Sequence, residues 1–116
     1  MNNRKKIGQW GEKLAGDFLA KRGFEIIEQN YYCQEGEVDI VAKKDEEFWF
    51  IEVKTRLSTA CGEPEEAVDQ AKEEKMAQVA LDYLAKKEIV VDTWQLGLVS
   101  VKVINKERVK LRLVIL

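Results

Sequence analysis

The stretch GEVDIVAKKDEEFWFIEVKTR, residues 36–56, constrains the fold more than any other part of the chain. Two apolar runs of strand length flank the polar break KDEE, and this pattern predicts a β-hairpin. A two-residue loop at Asp45-Glu46 and a four-residue loop over the whole break give the same register. In that register Asp39 lies directly opposite Glu52.

Three charged residues interrupt the apolar runs of this predicted hairpin: Asp39, Glu52 and Lys54. Strand interiors disfavour all three residue types, so their presence needs a reason. Side chains alternate between the two faces of a strand, and Lys54 is therefore expected on the face of Glu52. Glu37 precedes Asp39 by two residues and is expected to join them at the start of the strand.

The facing carboxylates of Asp39 and Glu52 point to a metal site. Two such groups repel, and both cannot stay ionised cheaply in a low dielectric unless a cation lies between them. Oxygen ligands without His or Cys suit a hard ion, Mg²⁺ or Mn²⁺. Beside the ion, Lys54 could stabilise a developing anion or position an attacking water, as in a phosphodiesterase. The alternative is a solvated charge pair, but Phe48 and Phe50 share the face and favour a partly covered, functional cluster.

The composition narrows the chemistry further. The chain has no histidine, which removes the commonest general base, the usual zinc ligand and every Ser-His or Cys-His triad. With 19 basic and 21 acidic residues, its net charge is −2. It is therefore not an indiscriminate nucleic-acid binder, although a local basic surface is compatible with this balance.

The cysteines and the apolar runs bear on where the protein works. Cys33 and Cys61 fit neither a disulfide framework nor a zinc site, and unpaired thiols suit a reducing compartment. No apolar run approaches the roughly 18 residues that span a membrane, and the basic N-terminus leads into no signal-peptide apolar region. We therefore expect a cytoplasmic protein with no membrane partner.

The predicted elements follow the order helix, three strands, helix, two strands. Hydrophobic periodicity and turn residues place them at 7–22, 24–33, two strands within 36–56, 62–87, 93–104 and 108–116. A turn at Asn105-Lys106-Glu107 is predicted to join the last two strands. Gly23 is expected to end the first helix and Pro64 to lie in the first turn of the second. Strands interleaved with helices predict one α/β domain over residues 1–116, with a mixed central sheet flanked by helices in three layers.

Glu12 in the first helix is a further acidic candidate. The apolar stripe of this helix consists of Ile7, Gly11, Leu14 and Phe18. Glu12 lies away from that stripe and beside three small residues, Gly8, Ala15 and Gly16. A strip of small residues lets a helix approach another surface closely, which would bring Glu12 near the sheet. The alternative is an ordinary glutamate on the surface of a helix.

The second helix carries two lysines on its apolar face. Lys72 and Lys75 share this face with Val68, Val79 and Tyr83. Lysines in such positions can extend their ammonium groups to solvent. They could equally reach the acidic cluster or a phosphate.

Two further sets of residues bear on nucleic-acid binding. In the last predicted strand, Arg108, Lys110 and Arg112 alternate with apolar residues; a solvated outer face is favoured, and contact with phosphates is the alternative. Four aromatic residues are predicted in the core or at its edge, with no spacing that suggests a base-stacking platform: Trp10, Tyr31, Tyr32 and Trp49.

The hairpin resembles the signature of the YraN-like family, small bacterial proteins with a restriction-endonuclease-like fold. That signature, G-E-[IV]-D-[LIV]-[IV], a short gap and an apolar strand ending in F-[VI]-E-V-K-x-R, is a version of the PD-(D/E)xK nuclease motif, which archaeal Holliday-junction resolvases share. The likeness extends to GQWGEKLAGDFLAKRGFEIIEQN and CGEPEEAVDQAKEEKMAQVALDYL. The matching hairpin residues are Gly36, Glu37, Asp39, Glu52, Val53, Lys54, Thr55 and Arg56.

The resemblance implies roles for the matching residues. Asp39 and Glu52 would bind Mg²⁺ or Mn²⁺ and Lys54 would be the catalytic lysine. Glu12, in G-x-x-G-E, would be the acid of the first helix and, with Glu37, a further candidate ligand. One departure follows the second helix, where the family has an R-F-D-[VI] strand and this chain has TWQLGLVSV.

The function that these residues imply is metal-dependent hydrolysis of nucleic-acid phosphodiesters. We expect DNA, including branched or structured DNA, with Arg56, Lys72 and Lys75 among the nucleic-acid contacts, and a homodimer is compatible with nucleases of this class. Two alternatives stay open. The chain could be a catalytically silent nucleic-acid-binding module or, as the least favoured reading, a structural domain that meets protein partners.

Overall fold

The computed structural model of the protein describes residues 3–57 and 68–116. Its elements are α1 (Asn3–Lys21), β1 (Glu25–Cys33), β2 (Gly36–Lys44), β3 (Glu47–Arg56), α2 (Gln70–Lys86), β4 (Trp94–Asn105) and β5 (Arg108–Ile115). The order of helices and strands predicted from the sequence is confirmed. Cys61, Pro64 and the first part of the predicted second helix lie outside the described residues.

The five strands form one mixed sheet in the order β1-β2-β3-β4-β5. β3 and β4 are parallel, and the other neighbouring pairs are antiparallel. A parallel pair needs a crossover connection, and α2 lies in that connection. α1 packs on one face of the sheet and α2 on the other. This is the predicted three-layer α/β architecture, compatible with a restriction-endonuclease-like domain.

The register predicted for the β2–β3 hairpin is confirmed from the loop to Ile40 and Ile51, but the predicted pair of Asp39 and Glu52 is not part of the ladder. Ile40 pairs with Ile51, and the pairing continues without a shift to a two-residue loop at Asp45 and Glu46. These loop residues have φ values of 50° and 67°. Two consecutive positive φ values are typical of a type I′ turn, whose twist matches that of the strands it joins.

The face that α1 buries agrees with the predicted stripe only in part. Gly11, Ala15 and Leu19 recur every fourth residue and are buried, whereas Leu14 and Phe18 are half-buried at the flank. The strip of small residues is therefore the packing face, because small side chains let the helix backbone approach the sheet. The larger apolar side chains cover the edges of that contact.

Close approach of α1 to β3 depends on one glycine. A Cβ atom at Gly11 would overlap Oγ1 of Thr55, so no other residue type fits there without a shift of the helix. The helix ends as predicted at Gly23, whose φ of 91° is in the region that glycine adopts most readily. The backbone N–H of Phe24 then donates to the carbonyl of Leu19 at 3.1 Å.

The second helix begins later than predicted. Asp69 caps α2, and its Oδ1 accepts a hydrogen bond of 2.9 Å from the backbone N–H of Lys72. Its buried face, which includes Met76, Val79 and Tyr83, packs on the sheet in one of the two cores.

The last two strands form the predicted hairpin with a shorter loop. Asn105 pairs with Arg108, and Oδ1 of Asn105 accepts a hydrogen bond of 2.8 Å from the backbone N–H of Glu107. The loop is therefore Lys106-Glu107.

Among the described residues, no helix combines the length and apolar character that crossing a membrane requires.

Candidate functional site

The β2–β3 hairpin opens into a fork at Asp39. The ladder between the two strands ends at Ile40 and Ile51; beyond it β2 continues to pair with β1, and β3 with β4. The carboxylate of Asp39 accepts a hydrogen bond of 2.7 Å from the backbone N–H of Val53 through Oδ2. The side chain thus takes the place of a ladder partner and points into the gap between the strands.

The alternation of side chains is interrupted at the level of Asp39. Val38 packs in the core with α2, whereas Ile40, two residues on, packs in the core with α1. Asn30 of β1 lies opposite Asp39, and its φ of 55° is in the left-handed region that Asn tolerates better than most residues. Two neighbouring strands therefore shift their alternation at the same level.

Because of this shift, acidic side chains approach the fork from both faces of the sheet. Glu52 lies on the α2 side, where its Oε2 is 3.2 Å from Nζ of Lys72. Glu12 approaches from α1. Glu37 is adjacent to Val38, which faces α2, so Glu37 faces α1. The prediction that Glu37 shares a face with Glu52 is therefore wrong.

The fork is electrostatically unfavourable for negative charge. Burial raises the pKa of Asp39 to about 7, and repulsion from Glu52 and then Glu12 adds to this effect, against the opposing hydrogen bond from the backbone. The pKa of Glu12 is also raised, first by burial, although a hydrogen bond with Asn30 opposes the change. A cation at this point would relieve the repulsion.

The carboxylate oxygens of Asp39 and Glu52 are suitable ligands for a hard divalent ion, but they would supply only part of its coordination shell. Within residues 3–57 and 68–116, no group of three or more His, Cys, Asp or Glu side chains is arranged to hold a metal. Mg²⁺ is commonly bound by one or two carboxylates, with waters and substrate phosphates as its other ligands. Asp39 and Glu52 match that pattern. Glu12 and Glu37 lie nearby, each in a hydrogen bond with a β1 side chain.

A cavity of about 550 Å³ opens beside the fork. Among the described residues, no acid forms an ion pair with Lys54, and Nε of Arg56 is buried without a hydrogen-bond partner. β3 and α1 thus both contribute basic residues to the wall of the cavity. Its lining includes Arg4, Gly8, Glu12, Lys54 and Arg56.

The other predicted nucleic-acid contacts lie on two elements. On α2, Lys72 contacts Glu52, whereas Lys75 is exposed and has no described contact with the acidic pair. On the edge strand β5, the predicted basic residues are all exposed: Arg108, Lys110 and Arg112. The structure thus brings one of the two helix lysines to the fork.

Two residues near the fork carry no functional prediction from the sequence, Asn30 and Tyr32. Tyr32 was expected in the core or at its edge, but it is 68% exposed and shares a hydrogen bond with Glu37. Trp10, 42% exposed, likewise lies outside the core. No sequence pattern indicated the exposure of Tyr32 or the left-handed conformation of Asn30.

Comparisons with known proteins agree on one family. Residues 11–110 match the model of Uncharacterised protein family UPF0102. The chain is 48% identical over 85 residues to a UPF0102 protein of Dictyoglomus thermophilum, which covers 73% of this chain and 72% of that protein. It is 41% identical over 106 residues to one of Moorella thermoacetica, with 91% and 88% covered. For one of Alkaliphilus metalliredigens the identity is 38% over 104 residues, with 90% of each chain covered. The chain belongs to the UPF0102 family, which is the YraN family that the hairpin signature resembles.

Proposed function

We propose that this protein is a metal-dependent nuclease that hydrolyses phosphodiester bonds in nucleic acid, with DNA as the expected substrate. The observation that carries the proposal is the fork in the sheet, where Asp39 and Glu52 come together in a gap between two strands. Mg²⁺ or Mn²⁺ bound there would polarise a phosphate oxygen and supply a nucleophilic hydroxide at neutral pH.

The residues around the fork have separable roles in this proposal. Asp39 and Glu52 hold the ion, and the backbone N–H of Val53 orients the Asp39 carboxylate. Lys54, two residues beyond Glu52, stabilises negative charge that develops on the phosphate. Because the chain has no histidine, protons move through water, the carboxyl groups or the lysine.

The cavity beside the fork has a volume that suits a nucleotide-sized substrate. Its volume of about 550 Å³ lies within the range of roughly 300–1,000 Å³ that is typical of ligand sites. Glu12 lines it at the side of the acidic pair. A homodimer that cuts both strands of a duplex remains a prediction.

One contact favours the alternative of a catalytically silent nucleic-acid-binding module. Nζ of Lys72 lies 3.2 Å from Oε2 of Glu52, so a lysine neutralises one of the two carboxylates. In a silent module Lys72 replaces the ion permanently. In a nuclease Asp39 and Glu52 would hold the ion, and Lys72 would be available to a phosphate.

Titration with Mn²⁺, followed by electron paramagnetic resonance, tests the metal site. The parent protein is expected to bind Mn²⁺, Asp39→Asn is expected to lose this binding, and Lys72→Met is expected to bind at least as tightly as the parent. Binding by Lys72→Met alone would favour the silent module. Absence of binding in both would rule out the metal site.

Labelled linear and branched DNA and RNA, incubated with Mg²⁺ or Mn²⁺, identify the substrate class. Asp39→Asn serves as the inactive control because it keeps the shape of the side chain and removes its charge. Cleavage that persists in this variant would come from a contaminating nuclease or from another site.

A further inference from the structure

Beyond the fork, three basic residues on neighbouring strands form a row across the sheet. Arg56 of β3 pairs with Lys102 of β4, and Lys102 pairs with Lys110 of β5. Neighbouring strands are about 4.8 Å apart. The row therefore places three positive residues over two strand spacings, four residues beyond Glu52 along β3.

A second row lies between this one and the fork. Lys54 pairs with Ser100, and Ser100 pairs with Arg112. Residues two apart on a strand are about 6.6 Å apart, so the two rows are neighbours. Together they form a basic strip, defined here as Lys54, Arg56, Lys102, Lys110 and Arg112.

The basic strip lies on the same face of the sheet as Glu52. Val53, Val101 and Leu111 are sequence neighbours of its members, and all three pack in the core with α1. Adjacent residues of a strand point to opposite faces, so the strip faces the α2 side. Glu52 lies on that side as well, since it contacts Lys72 of α2. The strip and Glu52 thus lie on the same face of the sheet.

The strip concentrates positive charge on a chain whose net charge is −2. Its two rows contain five basic residues, one serine and no acidic residue. Lys110 and Arg112 are exposed, whereas the other three members are half-buried. A local concentration of basic residues of this kind attracts polyanions.

We propose that the basic strip binds the phosphate backbone of a nucleic-acid chain as it leaves the fork. The chain then runs from β3 over β4 to the edge strand β5. The inferred course of the nucleic acid, starting at the fork, rests on the proposed function. The inference also adds Lys102, which no sequence pattern singled out, to the predicted nucleic-acid contacts. Nucleic acid is the polyanion that fits, because the strip continues from a site suited to phosphodiesters.

The test is the salt dependence of binding to a fluorescently labelled oligonucleotide, measured by anisotropy in EDTA so that neither metal nor cleavage contributes. Lys102→Gln and Lys110→Gln each remove one charge from the strip. Lys21→Gln is the matched control, since it removes one charge from an exposed position in the last turn of α1. Circular dichroism and thermal melting establish that all three variants fold.

Each strip variant is expected to bind several-fold more weakly than the parent at low salt. It should also lower the slope of log affinity against log salt by roughly 0.7–0.9, the value for one lost phosphate contact. Lys21→Gln should change neither quantity. Equal losses in all three variants would overturn the proposal in favour of diffuse attraction, and so would an unchanged slope in both strip variants.

Two further outcomes would overturn the strip. One is a parent protein that binds no oligonucleotide at low salt, and the other is poly-glutamate that competes as well as DNA at equal charge. Neither outcome depends on Mn²⁺ binding at the fork. The experiments therefore distinguish failure of the proposed nucleic-acid binding by the strip from failure of the proposed metal site.

Discussion

At the scale of single residues, Asp39 has the most unusual environment. It has no ladder partner in β3, accepts a hydrogen bond from Val53, and has a pKa raised to about 7 by burial and by Glu52. A raised pKa means that the folded protein binds this proton more tightly than the unfolded chain does. The resulting stability is fully present below about pH 4 and is lost as the pH rises through about 7.

Metal-free parent protein should therefore lose stability relative to Asp39→Asn as the pH rises from about 4.5 to 8. The expected difference is on the order of 1–4 kcal/mol in the free energy of unfolding, because Asn keeps an oxygen for the Val53 N–H and carries no charge. Urea unfolding in EDTA at the two pH values measures it. Asp92→Asn, at an exposed position, is the control. Parallel pH profiles of parent and Asp39→Asn would contradict the effect of burial on Asp39.

Asn30 is the residue whose conformation and contact sequence reasoning missed. Its φ is 55°, and its hydrogen bond with Glu12 lowers the pKa of that carboxyl. Asn30→Ala should destabilise the protein by roughly 1–2 kcal/mol, because alanine is strained in this region. Asn30→Gly removes the side chain without that strain, so it should be more stable than Asn30→Ala.

The two Asn30 variants separate the conformational effect from the hydrogen bond. In both, the pKa of Glu12 should rise above its value in the parent, since the hydrogen bond that lowers it is gone. NMR titration of the Glu12 carboxyl carbon follows this change. If the pKa stays as in the parent in Asn30→Gly, Asn30 does not orient Glu12.

At the scale of elements, the register of the hairpin is easier to predict from the sequence than the directions of the side chains at the fork. The loop residues and the two apolar runs specify the register from the loop to Ile40 and Ile51. Asp39 and Glu52 approach each other just beyond the end of that ladder. The shift of alternation at Asp39 depends on a left-handed residue in the neighbouring strand, which no local pattern predicts. For that reason Glu37 was assigned to the wrong face.

The packing face of α1 was only half predictable. Apolar periodicity favoured Leu14 and Phe18, but the close contact is made by small residues, because backbone approach to β3 outweighs the burial of larger side chains at this site. The strip of small residues beside Glu12 was a usable signal. The identity of the partner, Thr55, depends on the tertiary fold and could not be read from the helix.

Gly11→Ala tests this close approach. A Cβ at Gly11 overlaps Oγ1 of Thr55, so the substitution should destabilise the protein by about 1–3 kcal/mol. Gly8→Ala is the matched control, because a Cβ there meets no atom within 4 Å and should stabilise the helix by about 0.5–1 kcal/mol. Thermal unfolding compares them.

A double variant completes the test. Thr55→Ala removes Oγ1 and should restore part of the stability that Gly11→Ala loses, because the remaining Cβ of Thr55 is 3.2 Å from the added atom. Equal stability of Gly8→Ala and Gly11→Ala would show that α1 does not depend on this contact.

At the scale of the whole molecule, the sheet separates two cores and brings charges from both faces to one gap. α1 contributes Glu12 and α2 contributes Lys72, while the fork lets them approach the same pair of carboxylates. The layer order followed from the alternation of helices and strands. The position of β5 beside β4 followed from the predicted hairpin, and the observed register places Arg112 in the same row as Lys54.

The most direct test of the proposed function is single-turnover cleavage of the best substrate from the nucleic-acid panel. The parent protein is predicted to cut it with Mn²⁺ or Mg²⁺ and to stop in EDTA. Asp39→Asn should be slower by about 100-fold or more, while the exposed-site control Asp92→Asn cuts at the parent rate. A parent that cuts no substrate with either ion, or an Asp39→Asn variant that cuts as fast as the parent, would contradict a nuclease site at the fork.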